Sequence, residues 1–458
     1  VYRRDGFTFD GGPTVITAPW LITELVEVAG RMATDYVRLV PLDPFYRIIF
    51  HDGSFVDYTG DRERMRMAIR ALSPFPEDEA GYLAFLEQSR RIFTKGFTEL
   101  ATQPFFRIRD MLKITPDLVR LQSYRTVYGL VARYVRDERV RQMLSFHPLL
   151  IGGNPFHTTS IYALIHHLER EWGVWFAMGG TGAVVDSLVR LFQELGGTIE
   201  LSAEVTRIVI ERGRATGVQL ADGRVIPADI VISNADVAMT YQRLLPDISR
   251  KKYTDRKLRR FSYSMSLVVI YFGTDRLYRD GPSKDLRHHT IILGPRYRGL
   301  LEDIFDRKVL ADDFSLYLHL PTLTDPSLAP PGCEACYVLA PVPHLGSGTD
   351  WQRVAKPYRD RIMQFLEKRY FPELSKHIVT ELMIDPRHFR DELNSYLGAA
   401  FSFEPTLTQS AYFRPHNRSE EVPNLYFVGA GTHPGAGLPG VLCSAKIADA
   451  LIAQNEGA

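Results

Sequence analysis

The segment Asn424–Ile452 reads N-L-Y-F-V-G-A-G-T-H-P-G-A-G-L-P-G-V-L-C-S-A-K-I-A-D-A-L-I, and its three parts decide the fold. Leu425–Val428 is a short apolar run rich in β-formers and reads as a buried strand. A glycine-dense turn follows, with Gly429, Gly431, Gly435, Gly437 and Gly440. Val441–Ile452 then carries apolar residues at helical spacing, with Ala445, Ala448 and Ala450 as good helix formers. A strand, a glycine loop and a helix N-terminus make an anion site, because unpaired N–H groups and the positive end of the helix dipole face the loop. Gly435-x-Gly437-x-x-Gly440 has the letters of a dinucleotide fingerprint. It starts seven residues past the strand, however, and Pro439 lies inside it, so it does not read as a first fingerprint. Taken alone, the stretch is equally a plain glycine-rich turn.

Just upstream lies T-Q-S-A-Y-F-R-P-H-N-R, Thr408–Arg418. With G-A-G-T-H-P-G-A-G-L-P-G it resembles the C-terminal motif of the FAD-dependent amine oxidase and carotenoid desaturase superfamily, and most closely the bacterial-type phytoene desaturases. The resemblance runs along essentially the whole chain. It implies an α/β (mixed α+β) fold: a Rossmann-like FAD-binding domain, a β-sheet substrate domain and a helical, membrane-associating region. It implies FAD as cofactor. The flavin contacts would be Gly429, Ala430, Gly431, Thr432, His433, Pro434, Gly435, Gly437, Pro439, Gly440 and Val441.

Composition narrows the alternatives. The 458 residues suffice for two domains and a large core. A net charge of +1 argues against a nucleic-acid partner. No apolar run approaches the length of a membrane span. Three cysteines make no disulfide framework. Cys333-Glu-Ala-Cys336 has no second pair for zinc and precedes an apolar strand, so it reads as a loop, and no metal site is expected.

The chain opens V-Y-R-R-D-G-F-T-F-D-G-G-P-T from Val1 to Thr14. In the resembled family this block follows a βαβ unit with the true G-x-G-x-x-G. That unit is expected to be missing ahead of Val1, which would leave the flavin domain an incomplete one. Tyr46–Tyr58 reads as two strands about Asp52-Gly53. From Asp61 to about Glu171 the pattern is helical, with a start at Ser73-Pro-Phe-Pro-Glu-Asp-Glu.

Within Ser89–Arg136 ten Lys/Arg stand against three acids, interleaved with residues such as Phe97, Phe105, Phe106, Ile108, Leu112 and Tyr124. Basic, aromatic, amphipathic segments suit a membrane lipid surface. The plainer reading is a solvated helix face over a core. His147 and His157 flank Gly152-Gly153-Asn154-Pro155, a break between helices, and lone histidines there are more often packed than catalytic.

A helix over Ala183–Leu195, a strand, a meander with turns at Gly213 and Asp222-Gly223, and a buried strand Ile230–Ser233 complete the expected flavin-domain layout. Val205 is expected at the adenine by the resemblance; otherwise it is a strand residue. Alternating β-type runs at 266–273, 290–294, 314–320 and 336–342 suggest a sheet with one apolar face, suited to a tunnel wall or a core. The expected division is 1–60, 172–260 and 394–458 for the flavin domain, 61–171 for the helical region, and 261–393 for the substrate sheet.

C–C desaturation removes two hydrogens from an unactivated chain, and no side chain accepts a hydride, so a cofactor must. The resemblance implies FAD, with phytoene or a related long apolar polyene as substrate and oxygen or a quinone as electron acceptor. It places the protein on the cytoplasmic, inner face of the cell membrane as a peripheral protein. Asp110 stands at a family position proposed for proton handling, with Lys113 nearby where some relatives have Arg; Asp110 could equally cap a helix. The competing readings are a diapophytoene desaturase, another carotenoid oxidase or isomerase of the same fold, and an inactive flavin-free lipid-binding fragment.

Overall fold

In the computed structural model, which describes residues 1–246 and 248–457, a seven-stranded sheet separates a helix-covered core from a large cavity. Its first contributors are β1 (Tyr46–Ile49) and β2 (Phe55–Tyr58), the two strands expected around Asp52-Gly53. The helical region supplies α1 (Glu77–Phe93), α2 (Ile108–Arg120) and α3 (Leu164–Trp172), and α4 (Thr181–Glu194) follows. A meander of β3 (Val205–Glu211), β4 (Arg214–Leu220) and β5 (Val225–Pro227) leads to β6 (Val231–Ser233). Residues 198–204, expected to hold a strand, form no ladder. The rest of the large sheet is β7 (Ser266–Thr274), β8 (His289–Ile292), β9 (Leu316–His319), β10 (Glu334–Val342) and β11 (Ile378–Ile384). Helix α5 (Trp351–Arg369), strand β12 (Leu425–Phe427) and helix α6 (Leu438–Glu456) complete the elements that position the site.

The sheet runs β11-β7-β10-β9-β8-β1-β2. It is antiparallel except where β8 meets β1 in parallel, Ile291 opposite Ile48. Tyr46–Tyr58 therefore joins the substrate sheet, although the sequence grouped it with residues 1–60 of the flavin domain. A parallel pair needs a long crossover, and no local signal in either strand names its partner.

Strand β7 is buried along its whole length, because both faces of the sheet are covered. Val268, Ile270 and Phe272, with Val338 and Ala340 of β10, pack beneath Tyr358, Ile362 and Leu366 of α5. Burying each of the Val, Ile, Leu and Phe side chains contributes about 1.5–3 kcal/mol. Leu267, Val269, Tyr271, Tyr337 and Leu339 point the other way and line the cavity. The period of two thus gives a core on one face and a tunnel wall on the other.

The flavin-type half is built on the parallel pair β6–β12, with Val231 opposite Leu425 and Ser233 opposite Phe427. Helix α4 is tied to the N-terminal block. Asp10 Oδ1 accepts from the backbone N–H of Thr181 at 2.8 Å and of Gly182 at 3.4 Å. Gly180 has φ 82°, and a Cβ there would lie 2.5 Å from Asp10 Oδ1. No helix among the described residues is long and apolar enough to cross a membrane.

Candidate functional site

The cavity has a volume of about 580 Å³. Two segments far apart in sequence meet on its wall: Gly11, Gly12 and Thr14 from the N-terminal block, and residues 433–434 and 436–441 from the glycine loop. The loop leaves β12 at Gly429, whose N–H donates to Ser444 Oγ at 2.8 Å. Gly429 has φ 94°, and a Cβ would meet Asn234 Oδ1 at 2.3 Å. Helix α6 begins at Leu438, three residues before the expected Val441, so Pro439 and Gly440 lie in its first turn. Pro suits that position, since its missing N–H would have no partner anyway. A Cβ on Gly440 would lie 2.5 Å from the carbonyl oxygen of Gly435. The loop is therefore folded back on the helix start.

Of the flavin contacts expected from sequence, Ala430, His433, Pro434, Gly437, Pro439, Gly440 and Val441 line the cavity. Gly429, Gly431, Thr432 and Gly435 stand behind it. A Cβ on Gly431 would press on Val237 Cγ2 at 2.8 Å, and Thr432 Oγ1 donates to the Pro415 carbonyl at 2.8 Å. Val205 opens β3, half-buried and away from this cavity. Burial takes His433 down to about 4, so it is neutral at working pH.

The upstream F-R-P-H-N-R segment is the support of this loop, a role its sequence did not disclose. Arg414 is 1% exposed. Its guanidinium donates to the carbonyls of Thr432 (3.1 Å), Gln409 (3.3 Å), Phe403 (3.2 Å) and Ala430 (2.7 Å). Asn417 Nδ2 donates to the His433 carbonyl at 2.9 Å. A turn of this kind leaves carbonyls pointing inward, and a planar five-donor fork is the side chain that satisfies several at once.

The sequence singled out Asp110 and Lys113. Asp110 caps α2: its Oδ2 accepts the Arg107 backbone N–H at 3.1 Å. Lys113 is exposed. Met111 and Ile114 of the same helix line the cavity, whereas Asp110 and Lys113 do not.

The carboxyl on the cavity wall is Glu169 of α3. Tyr46 Oη donates to its Oε1 at 2.7 Å, and His147 Nε2 lies 3.0 Å from its Oε2. Behind them Tyr58 Oη contacts His166 Nδ1 at 2.7 Å. Burial raises Glu169 to about 7, with the Tyr46 hydrogen bond opposing. Burial also lowers His147 to about 3. Glu169 and His147 are thus both neutral between about pH 3 and pH 7, and their contact there is a hydrogen bond between uncharged groups. In L-I-H-H-L-E-R-E-W this Glu looks like any polar helical residue, and only the packing of β1 and His147 against it sets it apart.

The family model for flavin-containing amine oxidoreductases matches residues 1–452. The chain belongs to that family. It is 51% identical to the lycopene-forming phytoene desaturase of Pseudescherichia vulneris over 99% of this chain and 91% of that protein. It is 44% identical to the neurosporene-forming phytoene desaturase of Cereibacter sphaeroides over 97% of this chain and 85% of that one. Among solved structures, an oxidoreductase from Methanosarcina mazei shares the fold, with a TM-score of 0.61 at 16% identity over 98% of this chain and 90% of that one. The protein is an FAD-dependent oxidoreductase, as the resemblance implied, and the mixed α/β architecture is that of its family. The residues present fit the cofactor. Glycines at 435 and 437 hold φ of 130° and 95°, the first turn of α6 faces the cavity, and the surrounding wall is apolar. Arg414 and Asn417 hold that loop in place.

Proposed function

We propose that this enzyme desaturates phytoene, a long apolar polyene, toward lycopene or neurosporene. The observation that carries the reading is the cavity. It is walled by the apolar face of the substrate sheet and by α2, and it is continuous with the glycine loop. A polyene offers no polar handle, so burial and shape must recognise it, each methylene contributing only about 1–3 kcal/mol of discrimination. Bound FAD supplies the hydride acceptor for C–C desaturation. The chain's own residues exclude water and take the proton. Glu169, as the carboxylate that forms above about pH 7, is our candidate for that proton in preference to Asp110, because Glu169 faces the cavity and Asp110 caps a helix.

Helix α2 supports membrane docking on the inner face of the cell membrane. Its inward residues Met111, Ile114 and Leu118 line the cavity, while Ile108, Leu112 and Val119 are exposed among Arg107, Arg109, Lys113 and Arg120. An apolar face ringed by cations suits an anionic lipid surface, and it would let substrate pass from bilayer to cavity. Oxygen or a membrane quinone would reoxidise the flavin. The test is incubation of the FAD-loaded protein with phytoene in anionic liposomes, followed by chromatography of the pigments. Coloured desaturation products are expected; unchanged phytoene under air and with added quinone would contradict the reading.

A further inference from the structure

Behind the cavity wall three histidines converge. His289 opens β8 and faces His319 of β9 directly across the antiparallel ladder; His288 precedes β8. Their exposures are 6% for His288 and 0% for the other two. One ring nitrogen from each lies within 4.8 Å of the other two. The ring centroids are 4.5 Å apart for 288–289, 4.8 Å for 288–319 and 5.2 Å for 289–319.

The two kinds of ring nitrogen are treated differently. Thr324 Oγ1 lies 2.6 Å from His288 Nδ1 and Tyr317 Oη 2.6 Å from His289 Nδ1, with His319 Nδ1 3.4 Å from His289 Nδ1. The Nε2 atoms of all three are buried and meet no hydrogen-bond partner. Leaving a buried polar atom unpaired costs about 1–3 kcal/mol, and native folds rarely carry several such atoms in one place. Metal-bound histidines show one nitrogen held by a neighbouring oxygen and the other free to ligate; His288 and His289 follow that pattern through Thr324 and Tyr317, and His319 Nδ1 rests on the His289 ring instead.

We propose that His288, His289 and His319 form a binding site for a divalent transition metal, with Zn²⁺ the best-suited ion. Three imidazoles without thiolate or carboxylate favour Zn²⁺, Cu²⁺ or Ni²⁺ over Mg²⁺ or Ca²⁺, and three histidines with one open position are a known zinc arrangement. Burial keeps the rings in the neutral, ligating form, with His288 lowered to about 3 and the others well below their usual value. Zn–N distances of about 2.0–2.1 Å require nitrogens about 3.4 Å apart in a tetrahedral site, so the rings close by roughly an ångström on binding. A second cavity of about 280 Å³, lined by His288 and Thr324, opens toward the site. Arg279, Lys284 and Arg287 also line it, so loading is slow. The metal braces the β8–β9 hairpin. Through Tyr317, whose Oη also contacts Thr14 Oγ1 at 2.9 Å, it steadies the cavity wall.

The experiment uses untagged full-length protein, dialysed against chelator and then incubated with Zn²⁺ for hours. Metal is measured by mass spectrometry after desalting, and Co²⁺ serves as an optical probe of tetrahedral nitrogen ligation. One Zn²⁺ per chain, a higher melting temperature and tetrahedral Co²⁺ bands are expected. His319→Gln removes a fully buried ligand and should abolish retention. His288→Gln, at the edge of the site, keeps the fold in case the first variant does not, and should weaken binding at least tenfold. His377→Gln, a histidine paired with Asp275 elsewhere on the chain, should bind as the wild type. No stoichiometric metal in the wild type, or retention unchanged in His288→Gln, overturns the proposal. So does loss of the metal on Cys333→Ser with no loss in the histidine variants.

Discussion

Replacing Arg414 by Met tests what holds the flavin loop. The side chain is 1% exposed, and Met keeps much of its apolar stem. What disappears is the fork that ties Thr432 and Ala430 of the loop to Gln409 and Phe403 beneath it. Hydrogen bonds from a charged donor contribute about 1.5–3 kcal/mol each, and four would sum to about 6–12 kcal/mol. Desolvation opposes this, since burial lowers the guanidinium's own pKa. Leaving buried carbonyls unpaired costs about 1–3 kcal/mol each before the loop relaxes, and about 4 kcal/mol for the set is the figure we expect. Concentrated in the loop, that corresponds to a flavin affinity about three decades weaker, at about 1.4 kcal/mol per decade. The assay is flavin fluorescence on titrating stripped protein with FAD, beside far-ultraviolet circular dichroism in urea. Arg414→Lys keeps the charge but not the planar fork and should lose about half as much. An Arg414→Met protein within about 1 kcal/mol of wild type in both assays would refute the reasoning.

Other perturbations follow from the same geometry. Glu169 holds its proton to about pH 7 in the fold against 4.5 ordinarily. Between those values the unfolded chain binds fewer protons, so this contribution is complete below about 4.5 and is lost as pH rises through 7. It amounts to about 3 kcal/mol. Glu169→Gln should flatten that part of the pH dependence of the urea midpoint, and turnover should lose its rise near pH 7; an unchanged pH profile would return the proton to another group. Asp110→Asn should cost about 1 kcal/mol or less through its cap and leave turnover within a factor of two or so; a hundredfold loss of turnover would restore Asp110 as the acid–base candidate. Gly440→Val should abolish flavin retention, because its Cβ meets the Gly435 carbonyl at 2.5 Å; a yellow variant would contradict the loop geometry. Leu112→Glu, exposed on α2, should reduce co-sedimentation with anionic liposomes while leaving the melting temperature unchanged, and equal sedimentation would move the docking surface elsewhere.

Much of the fold was legible because local pattern and tertiary role coincide. The runs at 266–273, 290–294, 314–320 and 336–342 became β7 to β10 within a few residues, since β-branched and aromatic side chains in a buried sheet leave little alternative. The strand, glycine loop and helix of 424–452 were legible for the same reason: each glycine marks a turn or a close approach. Long-range convergence was not. Nothing in Y-R-I-I-F announces a parallel partner near residue 290. Arg414 sits in a loop whose carbonyls come from segments up to 18 residues away. His288, His289 and His319 become neighbours only through the β8–β9 register. At Asp110 the structure draws the helix cap that the sequence left open beside the proton-handling role, because three residues after Arg107 is where a capping carboxylate belongs.

The central claim is that the apolar cavity presents a polyene to the flavin held by residues 429–441. Anaerobic mixing of the FAD-loaded enzyme with phytoene in liposomes, followed by flavin absorption, tests it in a single turnover. The account predicts bleaching of the oxidised flavin with phytoene and none with an aliphatic amine. Bleaching by the amine while phytoene leaves the flavin oxidised would contradict it.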